Sequence, residues 1–334
     1  MNRPRILVAI RPALYNDLFA GDADASLRKI ADLVPYEGEK EPSPQWLAEN
    51  IWGSDAVITG WGTPAFDDKV LAAAENLKLI AHSAGTVKHM LPEAVFRKGI
   101  AVTHSAAAIA KAVAEASLLA AKLGLNPIHR HDAFLKAGGK WHDPKVPVGR
   151  EISGLRVGVI SASYVGRYFM DLLRPLGCEI WLYDPMVDET QAKALGAVKK
   201  DLDSVMSGCE VVSVHAPVIP ETKNLITGKH LAMLKDGAVF VNTARSWIVD
   251  QDAMLEELKK GRFTAALDVF DKEPLAIDSP LRKLDNVILT PHTAGATKQS
   301  KYRQGMYIAE EVGRFFSGKP LLYAVTLEKL ATMA

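Results

Sequence analysis

The sequence has few of the features that would assign it to a specialised class of protein. It contains only two cysteines in 334 residues, Cys178 and Cys209, and neither lies in a spacing typical of a metal or redox site. A disulfide-rich or zinc-binding domain is therefore excluded, and we interpret both residues as buried thiols. With no disulfide framework and no metal site expected, a reducing, cytoplasmic location follows by default.

Neither an excess of charge nor a long apolar run is present. Lys+Arg 40 against Asp+Glu 39 leaves a net charge of +1, so we expect no nucleic acid and no anionic membrane as a partner. The most hydrophobic helix candidate, residues 106–123, is interrupted by Lys111, Glu115 and Lys122, which excludes it as a membrane span. The opening MNRPRILVAIRP has too short an apolar core for a secretion signal.

Short apolar runs separated by helix-sized segments recur along the chain. The first cycle of runs lies at 5–10, 55–60, 77–83 and 100–105, and the second at 155–160, 179–184, 211–216, 238–243, 263–269 and 286–291. Such alternation predicts the α/β class, with two doubly wound parallel sheets. The six runs of the second cycle are typical of a Rossmann dinucleotide-binding domain.

The last part of the chain predicts how the two domains are connected. Residues 298–318 have the pattern of a long amphipathic helix, and LLYAVT at 321–326 can return to the first sheet. The second domain would then be inserted into the first. We predict a discontinuous domain of residues 1–104 and 298–334 and an inserted domain of residues 105–297.

A dinucleotide-type turn follows the first strand of the second cycle. The segment LRVGVISASYVGRYFMDLLRPLGCEIWLYDP reads as strand, turn, helix and strand, and it ends in Asp184 about 20 residues after the turn. An acid there accepts hydrogen bonds from ribose hydroxyls and repels a 2′-phosphate, which favours NAD over NADP. However, Ser161 and Ser163 stand where the first two glycines are expected, and only Gly166 remains. Taken alone, the sequence of this turn is also compatible with a strand–helix–strand unit that has a purely structural role.

Three polar residues follow apolar strands in the last third of the chain. They are Arg245 in VFVNTARSWIVD, Glu273 in AALDVFDKEPL and His292 in VILTPHTAGAT. The carboxyl ends of parallel strands meet at the edge of the sheet where ligands bind. Singly, each residue has an ordinary alternative as a loop cation, a turn acid or a cap. Together, a cation, a carboxylate and an imidazole favour proton transfer beside an anionic substrate.

Several motifs, in the same order along the chain, resemble those of the D-isomer-specific 2-hydroxyacid dehydrogenases, the family of phosphoglycerate, glyoxylate and D-lactate dehydrogenases. They are GTVK near 85, VAEAS at 113, the strand–helix–strand unit at 155, HAPVIPET at 215, NTARSWIVD at 242, LDVFDKEP at 267 and PHTAGAT at 291. This resemblance implies an NAD-dependent enzyme that interconverts small 2-keto acids and D-2-hydroxy acids. It also implies a flavodoxin-like substrate-binding domain, an inserted Rossmann NAD-binding domain and a homodimer.

The resemblance also implies roles for individual residues. Arg245 would bind substrate, His292 would give or take the proton, and Glu273 would orient the imidazole and favour its charged form. The loop of Ser83, Ala84, Gly85 and Thr86 would bind the substrate carboxylate. The residues implied at the cofactor are Ser163, Tyr164, Val165, Gly166, Asp184, His215, Ala216, Thr222, Thr243, Asp268 and Gly295. Asp268 keeps an alternative as a turn acid, and Thr222 keeps one as a cap.

Two departures from the family pattern keep other functions open. Ser246 and Trp247 replace two small residues after Arg245, so a large indole either narrows the site or packs at a domain or subunit boundary. The altered glycine turn is compatible with a non-catalytic NAD(H)-sensing scaffold. A phosphite-type dehydrogenase also remains an alternative, because its catalytic trio resembles this one.

Overall fold

The structure, a computed structural model, describes residues 3–333, and the chain forms two compact units. The first unit comprises Met1–Ile109 with Ala296–Ala334, and the second comprises Ala110–Gly295. The sequence predicts these two junctions after residues 104 and 297.

Twelve strands and fourteen helices are described. The strands are β1 (Arg5–Val8), β2 (Asp32–Pro35), β3 (Ala56–Thr59), β4 (Leu79–His82), β5 (Ala101–His104), β6 (Arg156–Ile160), β7 (Glu179–Tyr183), β8 (Val198–Lys199), β9 (Val211–Val214), β10 (Val239–Asn242), β11 (Thr264–Leu267) and β12 (Val287–Leu289). The helices are α1 (Pro12–Phe19), α2 (Asp22–Ile30), α3 (Pro44–Asn50), α4 (Asp68–Ala73), α5 (Glu93–Arg97), α6 (Ala106–Leu125), α7 (Ile128–Lys136), α8 (Tyr164–Leu173), α9 (Glu189–Ala194), α10 (Leu202–Gly208), α11 (Gly228–Met233), α12 (Gln251–Lys259), α13 (Lys298–Phe316) and α14 (Leu327–Thr332).

The first unit is built on a parallel sheet with strand order β2-β1-β3-β4-β5, which is the flavodoxin-like order. Strands β3 and β4 are buried at every position, because helices cover both faces of the sheet. The predicted return of the chain to this sheet is confirmed as a single antiparallel bridge between Thr103 and Ala324. Helix α13 packs closely against α1, since a Cβ on Gly305 would lie 1.9 Å from the carbonyl oxygen of Leu18.

The second unit is built on a seven-stranded parallel sheet with the order β12-β11-β10-β9-β6-β7-β8. This is the doubly wound order, and the direction of winding reverses between β6 and β9. One apolar core contains Met206, Phe240 and Phe263, and a second contains Phe169 and Val239. The predicted fold, two parallel-sheet α/β domains with a Rossmann-type inserted unit, is confirmed. Ligands of such sheets bind beyond the carboxyl ends of the strands at the reversal point, and the predicted cofactor residues follow these strands.

Candidate active site

The turn between β6 and α8 has the dinucleotide-binding shape despite its missing glycines. Ser161 adopts the left-handed conformation, with φ of 78°, that a glycine usually supplies. Gly166 must be glycine, since a Cβ there would lie 2.0 Å from the carbonyl oxygen of Ser161. Ser163 caps α8 by accepting a hydrogen bond from the Gly166 amide at 3.3 Å, which leaves its own hydroxyl proton free to donate.

The first turn of α8 offers backbone donors beside this turn. The amides of Tyr164 and Val165 donate to no other group within residues 3–333, and Tyr164 is exposed. A helix amino-terminus with such amides favours a phosphate through both its hydrogen bonds and its dipole. The turn therefore fits a pyrophosphate as predicted.

Asp184 lies immediately after β7 and is only 8% exposed. Its Oδ2 accepts hydrogen bonds from the Ser161 hydroxyl at 3.2 Å and the Ala162 amide at 2.8 Å. Its Oδ1 accepts one from the Met186 amide at 2.8 Å. The predicted ribose acid is thus already held by three donors of its own chain.

His215 follows β9 and lies next to the reversal point of the sheet. Its ring is 5.0 Å from that of Phe169, and the residue is 4% exposed. Burial lowers the pKa of His215 to about 3, so the imidazole is neutral. Among residues 3–333, neither ring nitrogen has a hydrogen-bond partner, and the same is true of the buried Ser213 hydroxyl two residues earlier. Buried polar atoms nearly always have partners, so these orphaned atoms fit a site that takes a polar ligand or water.

The side chains of Thr222 and Trp247 form hydrogen bonds with the backbone of the loop that follows His215. The Thr222 hydroxyl donates to the Pro217 carbonyl at 2.6 Å and accepts from the Ile219 amide at 3.1 Å. The Trp247 indole N–H donates to the Ile219 carbonyl at 3.3 Å, and the Lys223 ammonium lies 4.9 Å from its ring centre. The indole therefore lies against this loop. The alternative role of Thr222, as the cap that starts the following helix, is wrong, because the N-cap of α11 is Thr227.

The other predicted cofactor residues occupy the same edge of the sheet. Ala216 is buried directly after His215, and Gly295 is half-buried at the end of the second unit. The Thr243 hydroxyl, at the end of β10, is 2.7 Å from that of Ser117 on α6. No group of three or more potential metal ligands occurs in the described part of the chain.

Asp268, directly after β11, organises the segment that carries His292. The carboxylate is 2% exposed and accepts hydrogen bonds from the Thr290 hydroxyl at 2.6 Å, the Thr293 amide at 2.9 Å and the Ala294 amide at 3.0 Å. The Asp268 carbonyl accepts a further bond from the His292 amide at 2.9 Å. These contacts give Asp268 the turn-acid role that was its alternative, and its role toward nicotinamide stays a prediction.

Glu273 and His292 form a hydrogen-bonded pair. The Glu273 Oε2 and His292 Nδ1 atoms are 2.7 Å apart, and Glu273 Oε1 accepts from the Phe270 amide at 3.0 Å. Their side chains are 36% and 43% exposed, so a small molecule can reach them. Burial alone would raise the pKa of Glu273, but its hydrogen bonds and the charges of His292 and Arg245 hold that pKa below the ordinary value. His292 has a left-handed backbone, with φ of 53°.

Arg245 is a half-buried cation after β10. Its Nη1 donates to the Ala244 carbonyl at 2.6 Å, while Asn242 holds the Arg245 carbonyl at 3.0 Å. Burial lowers the pKa of Arg245, and the negative charges of Glu273 and Asp268 oppose this shift. Within residues 3–333 no carboxylate forms an ion pair with it, so most of its five N–H donors stay available. The charge of Glu273 therefore acts on Arg245, and Glu273 is itself hydrogen-bonded to His292. The joint role of the three residues stays a prediction.

The predicted carboxylate loop lies at the corresponding edge of the first unit, after β4. Ser83 is fully buried and donates to the Thr59 carbonyl at 2.8 Å. The amides of Ala84, Gly85 and Thr86 donate to no group in the part of the chain that the structure describes. Three successive amides of this kind suit an anion.

Two histidines that the sequence analysis did not assign to a site support this loop. His104 donates from Nδ1 to the Gly85 carbonyl at 2.7 Å, and His82 Nδ1 lies 3.0 Å from the Thr59 hydroxyl. Burial lowers the pKa of His82 to about 3 and also lowers that of His104. In the sequence, the signal for these histidines was that each lies near the end of an apolar run. The structure pairs them in register at the ends of β4 and β5.

Comparison with known proteins extends this description. Residues 119–294 match the family model described as "D-isomer specific 2-hydroxyacid dehydrogenase, NAD binding domain". The chain is 35% identical to D-3-phosphoglycerate dehydrogenase of Archaeoglobus fulgidus over 265 residues, which are 79% of this chain and 50% of that protein. It thus spans about half the length of that relative. It is 32% identical to glyoxylate reductase of Thermofilum pendens, over 92% of this chain and 93% of that protein.

Similar solved structures include that of Rhodotorula graminis D-mandelate dehydrogenase in its apo form. The TM-score is 0.82 at 25% identity, and the match covers 97% of this chain and 98% of that one. No helix in the described part of the chain has the length and apolar character needed to cross a membrane.

Proposed function

Because this chain belongs to the D-isomer specific 2-hydroxyacid dehydrogenase family, we propose that it is an NAD-dependent oxidoreductase of small 2-keto acids and D-2-hydroxy acids. One observation carries the proposal: within the described residues the Arg245 guanidinium has no carboxylate partner, yet it lies in the field of Glu273, which is hydrogen-bonded to His292. A cation without such a partner near an acid–base pair is the arrangement that an anionic substrate requires.

Arg245 supplies the geometry for recognising the substrate. Its planar guanidinium carries five N–H donors in a rigid fork, and paired hydrogen bonds from this fork hold an α-carboxylate or a keto oxygen. The Asn242 side chain fixes the backbone from which the arginine extends. As negative charge grows on the substrate oxygen, a positioned cation stabilises it.

His292 supplies the proton, and Glu273 positions the His292 imidazole. The pKa of Glu273 lies below its ordinary value, so the carboxylate is ionised and accepts from the Nδ1–H of His292. The Nε2 atom then faces the reaction as the group that donates a proton in reduction and accepts one in oxidation. Bound NADH supplies the hydride. Acid–base catalysis by a positioned side chain contributes about 100- to 10,000-fold.

The remaining predicted residues bind the two ligands. In the second unit, the amides of Tyr164 and Val165 hold the pyrophosphate, and Asp184 accepts from the adenosine ribose. In the first unit, the amides of the loop Ser83–Thr86 hold the substrate carboxylate. The orphaned nitrogens of His215 support the assignment of this sheet edge to the cofactor.

Substrate turnover tests the proposal. We expect NADH oxidation with at least one member of a panel of glyoxylate, hydroxypyruvate and pyruvate, followed by absorbance at 340 nm. Arg245→Lys keeps a positive charge but loses the planar fork, so the KM for the keto acid should rise about 100-fold. His292→Gln should lower kcat by about 1,000-fold while NADH still binds. An absence of turnover with the whole panel, although NADH is bound, would count against the proposal.

We also propose that the protein is a cytoplasmic homodimer. A run of exposed apolar residues lies along the start of the second unit, namely Leu119, Ile128, Leu135, Trp141 and Val148. Exposed apolar residues that form one patch mark an interaction site, and this segment supplies five of them. Light scattering should give about twice the 36.3 kDa chain mass, whereas a monomer mass would contradict the dimer. Both cysteines are free thiols, which suits a reducing compartment.

A further inference from the structure

Ser161 combines a costly backbone conformation with a contact that a glycine could not make. Its φ of 78° lies in the left-handed region, which costs a residue with a Cβ more than a glycine. Its hydroxyl donates to Oδ2 of Asp184 at 3.2 Å. No other hydrogen bond of this hydroxyl is present in the described residues. The polar interaction of the serine side chain is therefore with that acid.

The contact changes how many hydrogen bonds Asp184 can accept from a ligand. A carboxylate has about four acceptor sites, two on each oxygen. The Ser161 hydroxyl and the Ala162 amide take both sites of Oδ2, and the Met186 amide takes one site of Oδ1. One site remains. An adenosine ribose offers two hydroxyls, so Asp184 in its present state can receive only one of them.

The turn does not need this hydroxyl to keep its shape. The Ser161 amide donates to the Tyr183 carbonyl at 2.8 Å, and its carbonyl oxygen is packed against Gly166. Both contacts belong to the backbone, so a residue without the hydroxyl can occupy the same turn. Removing the hydroxyl should free an acceptor on Asp184 without rearranging the loop.

We propose that Ser161 is a positioning residue that weakens and narrows the recognition of the adenosine ribose by occupying an acceptor of Asp184. The inference rests on the proposed function, since it presumes that this turn binds a dinucleotide. A variant with a less polar residue at position 161 should therefore bind the nucleotide more tightly than the wild type.

The test compares Ser161→Ala with the wild type, using ADP-ribose and its analogue lacking the adenosine 2′-hydroxyl as calorimetric probes. In the wild type, we expect the two probes to bind within about 3-fold of each other, because Asp184 has a single free acceptor. In Ser161→Ala, ADP-ribose should bind about 5-fold more tightly, and the deoxy analogue should then bind about 10-fold more weakly than ADP-ribose. A merely structural role for Ser161 would change both probes equally.

Ser161→Gly separates the hydroxyl from the backbone. Glycine accepts a positive φ without strain, so this variant should show the same probe discrimination as Ser161→Ala together with a higher unfolding midpoint. It also replaces Ser161→Ala if the alanine variant folds poorly. Unchanged or weaker ADP-ribose binding in both variants would overturn the role of Ser161. A wild type that binds no ADP-ribose and turns over no keto acid would instead overturn the proposed function.

Discussion

Two acids in the second sheet, Asp184 after β7 and Asp268 after β11, are held in nearly the same way and serve different ends. Each is almost buried, and each accepts one hydroxyl and two backbone amides. The donors to Asp268 come from the segment that carries His292. The donors to Asp184 are Ser161 and Ala162, in the turn before α8, and Met186, which follows β7.

The difference lies in what each set of hydrogen bonds positions. The Asp268 carboxylate binds the Thr290 hydroxyl before His292 and the Thr293 and Ala294 amides after it, so it positions the segment of His292 without touching that side chain. In the proposed function Asp184 itself binds the ligand, and its own chain occupies most of its acceptors. Three hydrogen bonds of the same kind therefore position the segment of His292 at Asp268, whereas at Asp184 they occupy acceptors of the carboxylate itself.

The largest effect should follow removal of the Asp268 carboxylate. Asp268→Ala leaves the Thr293 and Ala294 amides without their acceptor and releases the segment that carries His292. We expect kcat/KM to fall by about 1,000-fold, mostly through kcat. Asp184→Ala should instead raise the KM for NADH, by about 10-fold. Steady-state kinetics of both variants would refute the contrast if kcat fell equally in the two.

A smaller loss should follow Glu273→Gln, because the glutamine cannot hold the charged imidazole. We expect kcat to fall about 10- to 100-fold with little change in NADH affinity. The pKa of Glu273 is lowered in the folded state, so its contribution to stability is complete above its ordinary value of 4.5 and disappears as the pH falls through the lowered pKa. Urea unfolding should therefore distinguish wild type from Glu273→Gln at pH 7 but not at pH 2. An equal difference at both values would contradict this assignment.

The smallest effect should follow deletion of one hydroxyl at Asp268. Thr290→Val removes the donor at 2.6 Å but leaves both amides, so kcat should fall only about 5- to 10-fold. Thr290→Ser keeps the hydroxyl and should restore most of the activity. This pair mirrors Ser161→Ala, in which the corresponding deletion is expected to improve ligand binding. A gain of activity in Thr290→Val would mean that the two acids behave alike.

The pattern of apolar runs was sufficient to predict both sheets except for one edge strand of each. Strands β2, with sequence DLVP, and β8, with two exposed residues, were not predicted. Each lies at an edge of its sheet, where one side lacks a neighbour and an apolar run is not required. The periodicity that identifies a central strand is absent from such segments.

The sequence motifs predicted which residues form the site, but not how each of them is held. Arg245, Glu273 and His292 could be placed because each follows a strand of a parallel sheet. The three donors to Asp268 lie more than 20 positions away along the chain, and no local pattern marks that pairing. The side chain of Trp247 shows the same limit, because only the structure reveals its contact with the Ile219 carbonyl.

A single-turnover experiment tests the central claim most directly, namely that His292 is the proton donor beside bound NADH. Enzyme loaded with NADH is mixed with the best keto acid of the panel, and the loss of absorbance at 340 nm is followed in wild type and His292→Gln. We predict rapid consumption of one NADH per subunit in the wild type, and a rate about 1,000-fold slower in a variant that binds NADH equally well. Consumption at the wild-type rate by His292→Gln would contradict the account.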